Sequence, residues 1–148
     1  ELQDLIDIAD LNLFDFEVSK NKIKTALKRQ DPWIRYWALI VCSSFGEQAK
    51  IFESEIRSLM INDKENLVRM RAIEYLLLNQ LPIDYSLIIE LLENANSETE
   101  ANLMLNSLTL VKSLNPSFKL GITKKLFPPE WCDKPNDLVN RRMDFIMD

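Results

Sequence analysis

Residues 31–46 read DPWIRYWALIVCSSFG, and this stretch decides the fold class. Asp31 followed by Pro32 is the preferred chemistry for starting a helix, because a carboxylate caps the first turn and proline tolerates its first position. Apolar side chains then recur at helical spacing, and Gly46 comes where a left-handed C-cap is expected. The stretch therefore predicts one helix over residues 32–45.

The rest of the composition also indicates an all-α protein. The chain has 148 residues, 47% of them hydrophobic, and only two glycines. That is enough apolar side chain for a core but little turn glycine for a sheet or a phosphate-binding loop. Further helices are predicted over residues 2–12, 19–29, 47–61, 65–79, 84–92, 98–114, 116–127 and 137–147. Between the last two, the prolines predict an irregular segment through Trp131 and Pro135.

Charge and composition exclude several classes of function. The formal net charge of −5 argues against a nucleic-acid partner, and no apolar run is long enough to span a membrane. Histidine is absent, which removes the commonest general base and zinc ligand. Cys42 is expected to be a buried apolar residue and Cys132 an exposed thiol. We assign no catalytic, cofactor-binding or metal-binding residue.

The two segments around residues 31 and 63 repeat one pattern. The paired positions are Asp31 with Asp63, Ile34 with Val68, Arg35 with Arg69, and Ala38 with Ala72. The two arginines are 69 − 35 = 34 residues apart, a period typical of stacked helical hairpins. We therefore predict a right-handed α-α superhelix of HEAT- or armadillo-like hairpins. A single domain over residues 1–148 is expected, with units 19–46, 47–80 and 84–114 and a C-terminal cap 116–148.

The polar members of this pattern have structural roles in such a stack. Aspartate caps the second helix of each hairpin. Arg35 and Arg69 lie next to the turns between repeats, where their donors can bond backbone carbonyls or a carboxylate. The sequence thus predicts a ladder of aspartate and arginine that includes Asp31 and Asp63.

The aromatic residues of the opening stretch raise the question of a binding site. Ile34 and Trp37 are three residues apart, which predicts that Trp37 lies in the core, with Trp33 and Tyr36 on a different face. Trp33 is expected to cover an adjacent repeat or domain. If Trp33, Tyr36 and Trp131 proved coplanar and exposed, a carbohydrate platform would become credible.

The stretch also resembles a known family. Asp31-Pro-Trp-Ile-Arg-Tyr-Trp-Ala38 is similar to the Asp-x-x-Val-Arg-Tyr-Trp-Ala signature of the helical-repeat region at the carboxyl end of bacterial sulfatases of the arylsulfatase or heparan N-sulfatase type. Leu5 to Asp10, Val68 to Ala72 and Leu105 to Leu108 resemble further segments of that region, so the resemblance covers residues 2–114.

The resemblance implies an accessory role. The catalytic Cys/Ser-x-Pro-x-Arg motif of sulfatases is missing, and Cys132-Asp-Lys-Pro135 does not match it. The resemblance therefore implies a catalytic domain, with its calcium, upstream of Glu1 in a longer, exported or periplasmic polypeptide acting on sulfated carbohydrate. The expected partner is that domain in cis, or another protein.

Two alternatives stay open at this point. The chain could be a stand-alone HEAT-like adaptor that binds a protein through its concave face. It could also be a small enzyme with an unfamiliar carboxylate site, for which the acidic pairs are the candidates. These pairs are Asp4 with Asp7, Glu53 with Glu55, and Glu98 with Glu100.

Overall fold

The computed structural model describes residues 2–134 and 137–148, so Pro135 of the predicted irregular segment lies outside the described residues. Within them the chain is helical and has no β-strand, which confirms the all-α class. The α-helices are α1 (Leu2–Ala9), α2 (Phe16–Ala26), α3 (Pro32–Phe45), α4 (Glu53–Asn62), α5 (Asn66–Leu78), α6 (Ser86–Glu93), α7 (Glu98–Leu114) and α8 (Leu138–Met147). The chain divides into two compact units, Glu1–Pro82 and Ile83–Asp148.

In the first unit, α3 and α5 form the centre. Helices α1 and α2 lie against α3, while α3 and α4 both pack against α5. The core of this unit is formed by aliphatic side chains from each of α2 to α5, which lose nearly all of their contact with solvent. They include Ile23, Ile34, Leu39, Ile56, Ile73 and Leu76. By contrast, α1 contributes no buried residue.

Helix α3 begins and ends where its sequence predicts. The Oδ1 atom of Asp31 accepts a hydrogen bond from the backbone N–H of Trp33 at 2.9 Å, which caps the first turn. Gly46 follows the last turn with φ +56° and ψ −123°, a conformation that favours glycine although it is not left-handed helical. The hydroxyl of Tyr75 donates to the Gly46 carbonyl at 3.0 Å. This bond ties the end of α3 to α5.

The segment after Gly46 differs from the single helix predicted over residues 47–61. Residues Gly46–Phe52 form a 3-10 helix, and α4 starts only at Glu53. Because a 3-10 helix has three residues per turn, Ala49 and Phe52 fall on the same side and are buried. Ile51 falls on a different side of this 3-10 helix and is exposed.

In the second unit, α7 packs against α8. Ser97 caps α7, because its hydroxyl accepts a hydrogen bond from the N–H of Glu100 at 3.1 Å. Asp84 accepts from the N–H of Ser86 at 2.9 Å, at the start of α6. The starts and ends predicted for both helices are thus close to those observed.

The helix predicted over residues 116–127 is wrong. After a turn, the chain has no regular secondary structure from Phe118 until a 3-10 turn at Lys124–Leu126. Phe118, Leu120 and Ile122 are buried while the residues between them are exposed, the period of two that extended backbone produces. The ammonium of the buried Lys112 donates to the Phe118 carbonyl at 3.0 Å and holds this segment on α7.

Candidate interaction surface

The aromatic residues of α3 form an exposed ridge on the side of the helix that faces away from the core. Trp33 is 53% exposed and Trp37 is 37% exposed, while Ile34, Ala38 and Leu39 are buried. The prediction that Trp37 lies in the core is therefore wrong. Ile34 and Trp37 are three positions apart, which corresponds to 300° around the helix axis rather than a full turn. Because the core side of α3 is centred near Ala38, Trp37 falls on the same side of the helix as Trp33. We call Trp33, Tyr36 and Trp37 the α3 ridge.

The rings of the α3 ridge pack edge to face. The centroids of Trp33 and Tyr36 are 5.8 Å apart with planes at 74°, and those of Tyr36 and Trp37 are 6.3 Å apart with planes at 84°. Such perpendicular packing is favourable for aromatic rings, but it is not a flat stacking platform. Trp131 is half-buried and contacts Phe127. The condition set for a carbohydrate platform, coplanar and exposed rings, is not met.

An ion pair from α5 supports the middle of the ridge. The Nη1 atom of Arg71 lies 2.6 Å from Oε2 of Glu74, and Nη2 donates to the hydroxyl of Tyr36 at 2.8 Å. The guanidinium carbon is 4.9 Å from the centroid of the Tyr36 ring. Sequence reasoning missed Arg71 and Glu74. A signal existed, because an arginine and a glutamate three residues apart can pair on one side of a helix.

The arginine and aspartate of the repeated pattern meet as predicted. Arg35 binds Asp63 with two parallel hydrogen bonds, Nε to Oδ2 at 2.7 Å and Nη2 to Oδ1 at 2.9 Å. Its Nη1 also donates to the carbonyls of Arg29 and Gln30, both at 2.7 Å. The side chain of Asp63 is 2% exposed and that of Arg35 is 13% exposed. This is a buried, fully engaged structural pair.

The second copy of the pattern makes related contacts. Arg69 donates from Nε to the carbonyl of Met60 at 3.0 Å, at the end of α4. Asp63 accepts the N–H of Glu65 at 3.0 Å, as Asp31 accepts that of Trp33. Both arginines therefore bond a backbone carbonyl of the turn that precedes their helix.

The two cysteines have different environments. Cys42 lies in the core of α3, and burial raises the pKa of its thiol to about 12. Cys132 is half-buried, and desolvation also raises its pKa. A raised pKa leaves little of the nucleophilic thiolate near neutral pH, so neither environment activates the thiol.

The remaining candidates for a chemical site are weaker. A cavity of about 410 Å³ lies between α1 and α2, with Asp7 and Lys22 at its rim and Ile8 on its lining. Across residues 2–134 and 137–148, no three acidic or cysteine side chains are grouped so that they could hold a metal ion. Among the same residues, no helix is both long enough and apolar enough to cross a membrane.

Comparisons with protein-family models, with curated proteins and with solved structures gave no match to this chain.

Proposed function

We propose that this chain is a non-catalytic, HEAT-like accessory domain of a bacterial sulfatase that acts on sulfated carbohydrate, and that it binds protein through the α3 ridge. One observation carries the binding role, namely that Trp33 and Trp37 are exposed side by side on a helix whose other side is core. Exposed tryptophans are the side chains most often found at the energetic centre of protein interfaces.

The turn contacts support the HEAT-like arrangement. Arg35 and Arg69, one repeat apart, both reach back to the turn before their own helix. Arg35 in addition joins the turn before α3 to the turn before α5 through Asp63. Such bonds hold consecutive hairpins in register, which is what a helical-repeat scaffold requires.

The surroundings of the ridge favour a protein surface over a charged sugar as its partner. Binding sulfate needs a free cation, and Arg71, a cation that contacts the ridge, is already neutralised by Glu74. The rings are also perpendicular, which suits packing against apolar side chains better than stacking a flat sugar face. In the sulfatase, the ridge would therefore pack against the catalytic domain, and the catalytic domain would bind the substrate.

The sulfatase assignment rests on the resemblance of residues 31–38. The same ridge would serve a stand-alone adaptor, which is the second candidate function, since an exposed tryptophan pair suits a partner in trans equally well. The acidic pairs support an enzyme less, because one member of each of two pairs already interacts within its own helix. Asp7 accepts a hydrogen bond from Gln3, and Glu53 binds Arg57.

Two measurements test this proposal. Intact mass and peptide mapping of the natural polypeptide decide the sulfatase link. A Cys/Ser-x-Pro-x-Arg motif upstream of residue 1 supports it, and its absence from the natural polypeptide contradicts it. The double variant Trp33→Ala/Trp37→Ala is then made in that natural polypeptide. If the ridge packs against a domain of the same chain, hydrogen exchange should increase at the surface that covers the ridge. If it binds a separate protein, that partner should dissociate faster.

The expected loss of binding free energy is about 2 kcal/mol or more for each tryptophan that acts as a hot spot. Val18→Ala provides the control, because Val18 is an exposed apolar residue of the same unit outside the ridge. An equal effect of Val18→Ala and of the double variant would reject the ridge as the binding surface.

A further inference from the structure

We infer that the Arg71–Glu74 ion pair positions the α3 ridge, holding Tyr36 and, through Tyr36, both tryptophans in a fixed arrangement for binding. The inference deepens the proposed function and rests on it in one respect, that the ridge is the binding surface. It identifies Arg71 and Glu74 as residues that hold this surface in place, although they contribute little to its exposed area.

The contacts form a chain from the core to the ridge. Glu74 is 3% exposed in its side chain and Arg71 is 16% exposed, so the carboxylate fixes the guanidinium from inside. The guanidinium then engages Tyr36 at two places, its hydroxyl and its ring. A ring held at both places cannot turn or tilt without breaking one contact.

Tyr36 transmits this constraint to both tryptophans. Its ring packs edge to face against Trp33 on one side and Trp37 on the other. Exposed tryptophans without such a support sample several rotamers, and a partner that binds them must immobilise them first. A ridge that is already ordered avoids this entropic cost, so the ion pair is expected to slow dissociation of the partner.

Stability alone does not account for a buried ion pair at these positions. Apolar residues of similar size are often as stable or more stable there, because burying two charges removes their hydration. The equivalent positions of α3, at the 34-residue offset, are apolar: 71 − 34 gives Trp37 and 74 − 34 gives Ile40. Apolar residues therefore occur at these two repeat positions, with Trp37 exposed and Ile40 half-buried, so the repeat itself does not require a charged pair there.

The test replaces the pair by apolar residues and measures the order of the indole rings. In a Trp131→Phe background, only Trp33 and Trp37 give indole N–H signals. In Arg71→Met/Glu74→Leu we expect the melting temperature to stay equal or rise. The indole order parameters should fall from about 0.85, the rigid limit, to below about 0.6. A purely structural ion pair would leave these order parameters unchanged.

The matched control is Arg57→Met/Glu53→Leu, which removes an ion pair from α4 of the same unit. It should leave both indoles ordered. Indoles that stay rigid in Arg71→Met/Glu74→Leu would overturn the inference, whatever the melting temperature. If the indoles loosen and that variant also melts much earlier, Tyr36→Phe decides, because it removes only the hydroxyl that Arg71 binds. Loosened indoles in Tyr36→Phe support the inference and rigid ones overturn it.

The same variants separate this inference from the proposed function. Loosened indoles in Arg71→Met/Glu74→Leu, together with unchanged partner binding in Trp33→Ala/Trp37→Ala, would refute the ridge as the binding surface and leave the positioning role intact. Rigid indoles would refute the positioning role even where Trp33→Ala/Trp37→Ala abolishes binding.

Discussion

Arg35 is the side chain whose removal should damage the first unit most directly. Its guanidinium makes two hydrogen bonds to Asp63 and one each to the carbonyls of Arg29 and Gln30. In Arg35→Ala the carboxylate of Asp63 stays behind at 2% side-chain exposure. The variant therefore strands a buried charge, which is costlier than the loss of a surface ion pair.

The magnitude follows from these contacts. Removing one partner of a buried ion pair costs about 3–5 kcal/mol. Asp63 keeps its hydrogen bond from the N–H of Glu65, so the lower end applies and we expect about 3 kcal/mol. For a chain of this length, that corresponds to a fall in melting temperature of roughly 6–12 °C. Arg35→Lys, which keeps the charge but not the fork of donors, should lie in between.

Urea unfolding followed by far-UV circular dichroism measures this free energy. The control is Arg57→Ala, because the Arg57–Glu53 pair is about one-third exposed and its loss should cost less than about 1 kcal/mol. Equal midpoints for Arg35→Ala and the unchanged protein would show that the Arg35–Asp63 pair is absent in solution. Equal losses for Arg35→Ala and Arg57→Ala would show that burial adds nothing to the pair.

Two further predictions concern Gly46 and the thiols. Gly46→Ala forces a side chain into a positive-φ conformation and should lower the free energy of unfolding in urea by about 1–3 kcal/mol. The control is Gly121→Ala, which has open space around the added carbon and should change stability by less than about 0.5 kcal/mol. Equal effects of the two variants would contradict this prediction. The pKa of the Cys42 thiol is about 12 in the folded state and about 8.5 in the unfolded state, so the folded state holds this proton more tightly. The contribution of the Cys42 thiol to stability should be complete below about pH 8.5 and be lost as pH rises toward 12. In Cys42→Ala, the free energy of unfolding should therefore decline less steeply over this pH range. Identical slopes for the variant and the unchanged protein would refute the prediction.

Local signals in the sequence were sufficient for the ends of most helices. The carboxylate of Asp31 and the proline after it act within one turn, and Gly46 is needed only for its own backbone angles. The Arg35–Asp63 pair was also predictable, because the repeated pattern supplied the long-range information that a single helix lacks. In each of these cases, the residues that decide the structure are close in sequence or related by the repeat.

The errors have the opposite character. Residues 116–127 contain enough apolar side chains for a helix and begin with Pro116, a residue favoured in the first turn. Phe118, Leu120 and Ile122 occupy alternate positions, however, and this period of two does not match a helix. Phe52, the last residue of the 3-10 segment before α4, packs against Phe16, and this contact joins residues that are 36 positions apart in the sequence. The side of α3 on which Trp37 lies depends on which helices cover α3, and no local pattern contains that information.

The exposure of Trp37 is informative because α3 is apolar on both of its sides. A helix that is apolar all round is normally buried all round, as in the centre of a larger assembly. One side of α3 carries Ile34, Ala38 and Leu39 into the core, and the other carries Trp33 and Trp37 toward solvent. A scaffold with no partner would gain solubility from a polar residue at either tryptophan position. The placement of a buried ion pair beneath exposed aromatic rings is what the proposed binding surface requires, and the indole order parameters measure whether the ion pair keeps that surface ordered.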